Sequence, residues 1–271
     1  MGPIFCQNFV KILTKNRAEE GNLVKLRKKF SRLITFGDIS HLPRHKKYMS
    51  SLFHFFASSD NPQSLGFKFR KKRLQEFENL FFTHFAGAEK IEILDVGGRD
   101  YFWKHSSLLK HPGVRITLLN LHLENTSHPA IQAVQGDATC MPEFGDHSFD
   151  LVFSNSVIEH VYTFENQQKM ASEICRVGKS HFIQTPNAYF PIEAHYALPF
   201  AQYFPKAVLH FILTKTKLSR FKRWNPAEAS QYQDEIRLLT KSEMKVLFPA
   251  SILLKEKALG LTKSFTAHNL G

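Results

Sequence analysis

Cysteine is scarce in this 271-residue sequence. There are three, Cys6, Cys140 and Cys175, and no two stand in a Cys-x-x-Cys spacing. That excludes a disulfide framework and a cysteine-built zinc site, and it leads us to expect reduced thiols and a cytoplasmic location, with no metal site. Long apolar runs are also missing. A membrane helix needs about 18–20 uninterrupted apolar residues, and the nearest candidate, 197–213, is broken by Lys206. The opening Met-Gly-Pro-Ile-Phe-Cys has no apolar stretch of the secretory type, and Cys6 stands where a myristoylation pattern needs Ser or Thr. Two glycine signatures are absent as well. No Gly-x-x-x-x-Gly-Lys occurs, which excludes a P-loop enzyme. From Gly97 the chain reads Gly-Gly-Arg-Asp-Tyr-Phe, which fails the Gly-x-Gly-x-x-Gly of nicotinamide enzymes at both later glycines.

Acidic residues are outnumbered, 24 Asp/Glu against 36 Lys/Arg, for a net charge of +12. The excess is uneven. Residues 1–90 hold 17 basic and 7 acidic residues, a net of +10, and the remainder is close to neutral. A basic module beside a near-neutral domain suits an anionic partner, whether nucleic acid, lipid surface or acidic protein.

What is present is a folding chain, with 43% hydrophobic residues. Residues 1–35 read as basic amphipathic helices, with Ser-Ser-Asp-Asn-Pro at 58–62 as a loop. We take 1–66 as a basic, mainly helical extension and 67–271 as the main domain. A cover helix is expected over 67–85, from Leu74, Phe77, Leu80 and Phe81. Strands are expected at 91–96, 114–120, 131–135, 149–153 and 181–184, with a helix over 164–177. A terminal antiparallel pair is expected at 252–257 and 263–268. Strands alternating with helices imply an α/β fold with a mainly parallel sheet and helices on both faces.

The chemistry gathers at the strand ends. Ile91–Trp103 runs as a buried strand into a Gly97-Gly98 turn, with Asp95 just before it. Asn120 ends the next strand, and Asp137 follows the third. In a parallel sheet these ends share one edge, where ligands bind. The three polar side chains and the glycine turn therefore converge on one crevice, suited to a ligand with an amino-acid end, hydroxyls and an aromatic amine.

Ile-Leu-Asp-Val-Gly-Gly, Leu-Leu-Asn-Leu, Gly-Asp-Ala and Phe-Asp-Leu-Val-Phe-Ser-Asn-Ser-Val-Ile-Glu-His-Val, in that order, resemble a class I S-adenosylmethionine-dependent methyltransferase of the UbiE-like, type 11 kind. Thr-Pro-Asn-Ala-Tyr-Phe-Pro-Ile-Glu-Ala-His and the closing Gly-Leu-Thr-Lys-Ser-Phe are similar too, so the likeness spans roughly 68–268. It implies a Rossmann-like methyltransferase sheet with S-adenosyl-L-methionine as cofactor. Asp95, Gly97 and Gly98 would hold its methionine part. Asn120 would bond the ribose, Asp137 the adenine amine with Ala138 alongside the ring, and Asn155 would lie under the sulfonium. At two places of the usual Asp-x-Gly-x-Gly-x-Gly the chain has Arg99 and Tyr101, and the ribose position is an amide.

Methyl transfer asks for a base only when the acceptor is an un-ionised hydroxyl or amine. His195 and His160 are the catalytic candidates, with Glu193 and Glu159 beside them. Residues 191–225 break the βα rhythm and read as a lid insertion. They are rich in aromatics, with six Lys/Arg between 206 and 223 and no acid among those positions. The expected function is in-line methyl transfer to a small-molecule or lipid-like acceptor. Base-amine methylation of nucleic acid is less favoured, because Ser154-Asn155-Ser156-Val157 stands where such enzymes carry Asn/Asp-Pro-Pro-aromatic. The alternatives are an RNA methyltransferase using the basic N-terminal region, and a non-catalytic binding protein on the same fold. Peripheral membrane contact through the basic face is compatible with either chemistry.

Overall fold

The computed structural model describes residues 65–271, apart from His105 and Ala194. The basic extension assigned to residues 1–66 lies outside these, save for the first residues of one helix. That helix, α1 (Leu65–His84), precedes strand β1 (Ile91–Val96). The order then runs α2 (Asp100–Trp103), β2 (Val114–Asn120), β3 (Ile131–Gln135), β4 (Phe149–Asn155), α3 (Phe164–Val177) and β5 (Gly178–Pro186). A small hairpin of β6 (Ile192–Glu193) and β7 (Leu198–Pro199) follows. The chain closes with α4 (Lys206–Lys215), α5 (Pro226–Glu235), α6 (Lys241–Leu247), β8 (Ile252–Ala258) and β9 (Leu261–His268). No described helix is long and apolar enough to cross a membrane.

Seven strands form one sheet in the order β3-β2-β1-β4-β5-β9-β8. The first five are parallel, and β9 runs antiparallel to both β5 and β8. This is the expected Rossmann-like methyltransferase architecture, with the terminal pair as read from the sequence. β1 lies third among the seven strands, between β2 and β4, and is buried on both faces, as a strand covered on both sides has to be. Its residues alternate. Leu94 and Val96 join a core with Val152, Met170, Ile174 and Met244. Ile91 and Ile93 face the opposite core, with Phe77, Phe81, Trp103, Phe153 and Phe182.

The helices follow the same pattern. α3 buries Met170, Ala171, Ile174 and Val177, spaced as one helical face, and Thr163 caps it by accepting from the Asn166 amide. On the other side, Phe77 of α1 packs 4.8 Å from Phe153 and 4.9 Å from Phe182, centroid to centroid. Each such ring, fully buried, contributes roughly 2–3 kcal/mol.

The break in the βα rhythm after β5 is a packed unit of its own. Tyr196, Leu198, Ala201, Leu209, Leu213, Trp224 and Ala229 form a separate buried cluster, with Tyr232 and Ile236 against it. The unit thus continues past residue 225 into α5, because α5 supplies part of the apolar surface that covers Trp224.

Candidate functional site

Of the two glycines at the end of β1, only Gly97 has a left-handed backbone, at φ 75°. Its amide donates to the Leu119 carbonyl at 2.8 Å. A β-carbon on Gly97 would stand 2.4 Å from Val157, and one on Gly98 would stand 1.8 Å from Asp95 Oδ2. The turn therefore needs glycine at both positions. It does not need glycine at the next two places of the usual pattern. Arg99 is extended, at φ −130° and ψ 141°, and the Tyr101 side chain points outward, 56% exposed.

Asp95 is 1% exposed. Its Oδ2 accepts from Trp103 Nε1 at 2.7 Å, while buried Oδ1 has no partner among the described residues. Burial pushes its carboxyl up to about 7, against the opposing hydrogen bond from Trp103. An ionisable group at a ligand-facing edge with one unsatisfied oxygen is a candidate for a cationic or donor ligand group.

Hydrogen bonds tie the neighbouring strand ends to this turn. Asn120 Nδ2 donates to the Gly98 carbonyl at 2.8 Å, which leaves the amide oxygen to accept. The Asn120 carbonyl in turn receives the Gly136 amide at 2.9 Å. Asp137 follows at once. Its Oδ1 caps its own turn, accepting from the Thr139 amide and hydroxyl, both at 2.8 Å. Asp137 is exposed, and Ala138 is half-buried against the core. Asp95, Gly97, Gly98, Asn120, Asp137 and Ala138 thus lie along one hydrogen-bonded edge.

Asn155 is drawn into a different network. Its Oδ1 accepts from Arg73 of α1, which also donates to Gln184 Oε1 at 2.8 Å and to Glu256 Oε2 at 2.9 Å. Lys263 and Ser264 complete the shell around Glu256, each at 2.8 Å. Burial raises the Glu256 carboxyl, but Arg73 and Lys263 outweigh it and the net shift is downward. Arg73 carried no signal in the sequence beyond being one cation among many in α1.

The loop after β4 carries Val157 over Gly97 and continues into a short 3-10 turn, Ile158–His160. There His160 Nε2 lies 3.1 Å from His195 Nε2. The rings meet edge to face, with centroids 4.8 Å apart. Each imidazole has a carboxylate behind it: Glu235 Oε1 is 2.7 Å from His160 Nδ1, and Glu193 Oε1 is 2.6 Å from His195 Nδ1. Glu193 is itself held by the Tyr196 amide at 2.7 Å. Burial alone would lower the His195 pKa, but the hydrogen bond and charge of Glu193, with the charge of Glu159, raise it. Glu159 is fully buried. Its Oε2 accepts from Thr185 at 2.9 Å, and its Oε1 has no partner among the described residues. Four non-glycine residues with positive φ flank this cluster, Ser156, Tyr162, Ala197 and Phe200. Such backbones cost about 1–3 kcal/mol each and gather at functional sites. Glu235 is the member sequence reasoning missed, since it lies 75 residues from its histidine.

Beside Glu193 opens a cleft of about 330 Å³, lined by Tyr189, Tyr196, Tyr203, Leu209, Ile236 and Arg237 among others. Gln202 and Gln233 line it too. Gln202 Oε1 and Gln233 Nε2 are buried without partners among the described residues, one acceptor and one donor.

Residues 108–181 match the family model described as a methyltransferase domain. The matched stretch contains Asn120, Asp137, Asn155, Glu159 and His160; the Asp95–Gly98 turn precedes it. No curated protein matches the chain. Similar solved structures include an S-adenosylmethionine-dependent methyltransferase from Methanosarcina mazei. It is 14% identical, with 69% of this chain and 95% of that one covered and a TM-score of 0.40. The PH0226 protein from Pyrococcus horikoshii is 14% identical, with 83% and 99% covered and a TM-score of 0.43. An O-methyltransferase family protein from Burkholderia thailandensis is 9% identical, with 73% and 57% covered and a TM-score of 0.39.

Proposed function

We propose that this chain, which carries a methyltransferase domain over residues 108–181, is an S-adenosyl-L-methionine-dependent methyltransferase that methylates a small-molecule or lipid-like acceptor held by the unit built after β5. The observation that carries this reading is the course of the loop after β4. Val157 covers Gly97, and three residues later His160 meets His195. One short segment therefore joins the glycine turn to the histidine pair.

The residues at the turn fit the cofactor. Asp95 Oδ1, without a partner among the described residues, suits its ammonium. The Asn120 amide oxygen suits a ribose hydroxyl, and the second carboxylate oxygen of Asp137 suits the adenine amine. Bound there, the cofactor supplies a methyl group already activated by its sulfonium. The protein's part is to hold and orient, which can lower a barrier by roughly 7–11 kcal/mol in well-aligned systems. Gly97 and Gly98 let backbone approach the ligand, and Arg73 fixes Asn155.

The cleft beside Glu193 supports a small acceptor with an apolar body. Its volume of about 330 Å³ lies in the range of ligand pockets. Its tyrosines and aliphatic side chains suit rings or chains, and the two glutamine atoms without partners among the described residues suit polar substituents. Activation of an acceptor hydroxyl or amine falls to His195 and His160. The rest of residues 191–225 acts as a lid that excludes water.

Titration calorimetry with S-adenosyl-L-methionine tests the cofactor half of the reading, and a screen of acceptors against labelled cofactor tests the other. No binding heat at millimolar cofactor, from protein shown to be folded, would overturn the enzyme reading and favour a binding protein on this fold. Labelling of RNA in place of small molecules would move the acceptor to nucleic acid. His195→Ala should reduce turnover and spare cofactor affinity.

A further inference from the structure

We infer that Glu159, His160 and His195 form a binding site for a divalent first-row transition cation. The inference deepens the proposed function by naming how the histidine pair acts, and it rests on that reading only for the pair's role toward the acceptor.

A carboxylate oxygen at 2.6 Å from His195 Nδ1 and another at 2.7 Å from His160 Nδ1 require N–H at both positions. In the neutral rings, both Nε2 atoms then carry lone pairs. Yet these two atoms face each other at 3.1 Å. Two lone pairs at that distance repel unless a positive charge sits between or beside them. A single proton shared as an N–H···N bond would satisfy both nitrogens, but would leave Glu159 Oε1 without a partner among the described residues. A metal ion satisfies both nitrogens and also the third group present, the Glu159 carboxylate.

The distances suit a metal. Nitrogens about 2.05 Å from a shared cation stand roughly 3.3 Å apart in a tetrahedron and about 2.9 Å apart at right angles. The observed 3.1 Å falls between. One ligand atom from each of the three residues lies within 4.8 Å of the others. Glu159 supplies a second, independent pointer. It is fully buried, and its Oε1 has no partner among the described residues. Leaving a buried carboxylate oxygen unsatisfied is unfavourable, and a bound cation would remove that penalty.

The surroundings complete the design of a metal centre. Metal-bound histidines characteristically donate the other ring N–H to a carboxylate, which sets the tautomer and the ring plane. Glu193 and Glu235 occupy those positions. Two histidines and one carboxylate leave a coordination position open, the pattern of catalytic rather than structural sites. The imidazoles favour zinc, iron(II), copper or nickel over calcium, magnesium and manganese. An ion there acts as a Lewis acid on an acceptor oxygen or nitrogen.

The test uses the full chain, stripped with a chelator and titrated with Zn²⁺, or with Co²⁺ followed by its visible absorption, in the absence of S-adenosyl-L-methionine. One ion per chain is expected. His195→Ala and His160→Ala should each weaken it at least a hundredfold, and Glu235→Gln by roughly ten- to a hundredfold. Circular dichroism verifies that each variant is folded. Failure to bind either ion at micromolar concentration overturns the inference, as does binding that survives both histidine substitutions, which would place the ion elsewhere in the chain. Cofactor calorimetry on the same sample separates the two ideas. Cofactor heat without metal sinks only the metal site, and metal without cofactor heat sinks only the methyltransferase reading.

Discussion

Gly98 is pressed against Asp95 so closely that a β-carbon there would sit 2.1 Å from the carboxylate carbon. Asp95 cannot retreat, because it is buried and bonded to Trp103. Gly98→Ala should therefore destabilise the fold by about 1–3 kcal/mol, the usual cost of overpacking. It should also weaken S-adenosyl-L-methionine binding at least tenfold. Arg99→Gly, at a position that is already extended, should change cofactor affinity less than twofold. Calorimetry on the two variants checks the contrast.

The raised Asp95 carboxyl gives a pH dependence of known sign. Unfolded, the group titrates near 3.8; folded, near 7. Between those values the folded state keeps a proton the unfolded state has released, so stability falls as pH rises through that window. The full effect is about 4 kcal/mol at most, complete above about pH 7. Asp95→Asn keeps an acceptor for Trp103 and removes the ionisation. The variant should match the wild type near pH 4 and exceed it in denaturation midpoint near pH 8. Equal midpoints at both would show that Asp95 titrates normally.

Arg73 joins α1 to the ends of β4, β5 and β8 through Asn155, Gln184 and Glu256. Removing one partner of a buried pair typically costs 3–5 kcal/mol. Glu256 keeps Lys263 and Ser264, so Arg73→Met should fall near the low end, about 3 kcal/mol. Adding Glu256→Gln should recover part of the loss, as a double-mutant cycle in urea would read.

Asp137 separates a structural from a ligand role. Asp137→Ala removes the cap on its own turn together with the proposed adenine contact. Asp137→Asn keeps an oxygen for Thr139 and replaces the remaining acceptor with a donor. Both should lose at least tenfold in cofactor affinity, about 1.4 kcal/mol. If Asp137→Asn binds as the wild type does, the adenine lies elsewhere.

The sequence by itself determined the sheet. Strands such as Ile91–Val96 and Val114–Asn120 announce themselves because burial on both faces calls for mostly apolar runs, here crossed by Glu92, Asp95, Arg115 and Thr117, between polar stops. The glycine turn and the polar strand ends were legible for the same reason: parallel strands bring every carboxyl end to one edge. Tertiary structure decided what local pattern could not encode. It took Arg73, one of seventeen cations in residues 1–90, and buried it against Glu256, 183 positions away. It showed that only two glycines are needed, because Arg99 has an extended backbone and Tyr101 faces solvent. And it set His160 against His195 with a carboxylate behind each, one of them Glu235 on a helix 75 residues downstream. A histidine in sequence is one of fourteen. Only packing fixes which two meet, and which of their nitrogens carry lone pairs.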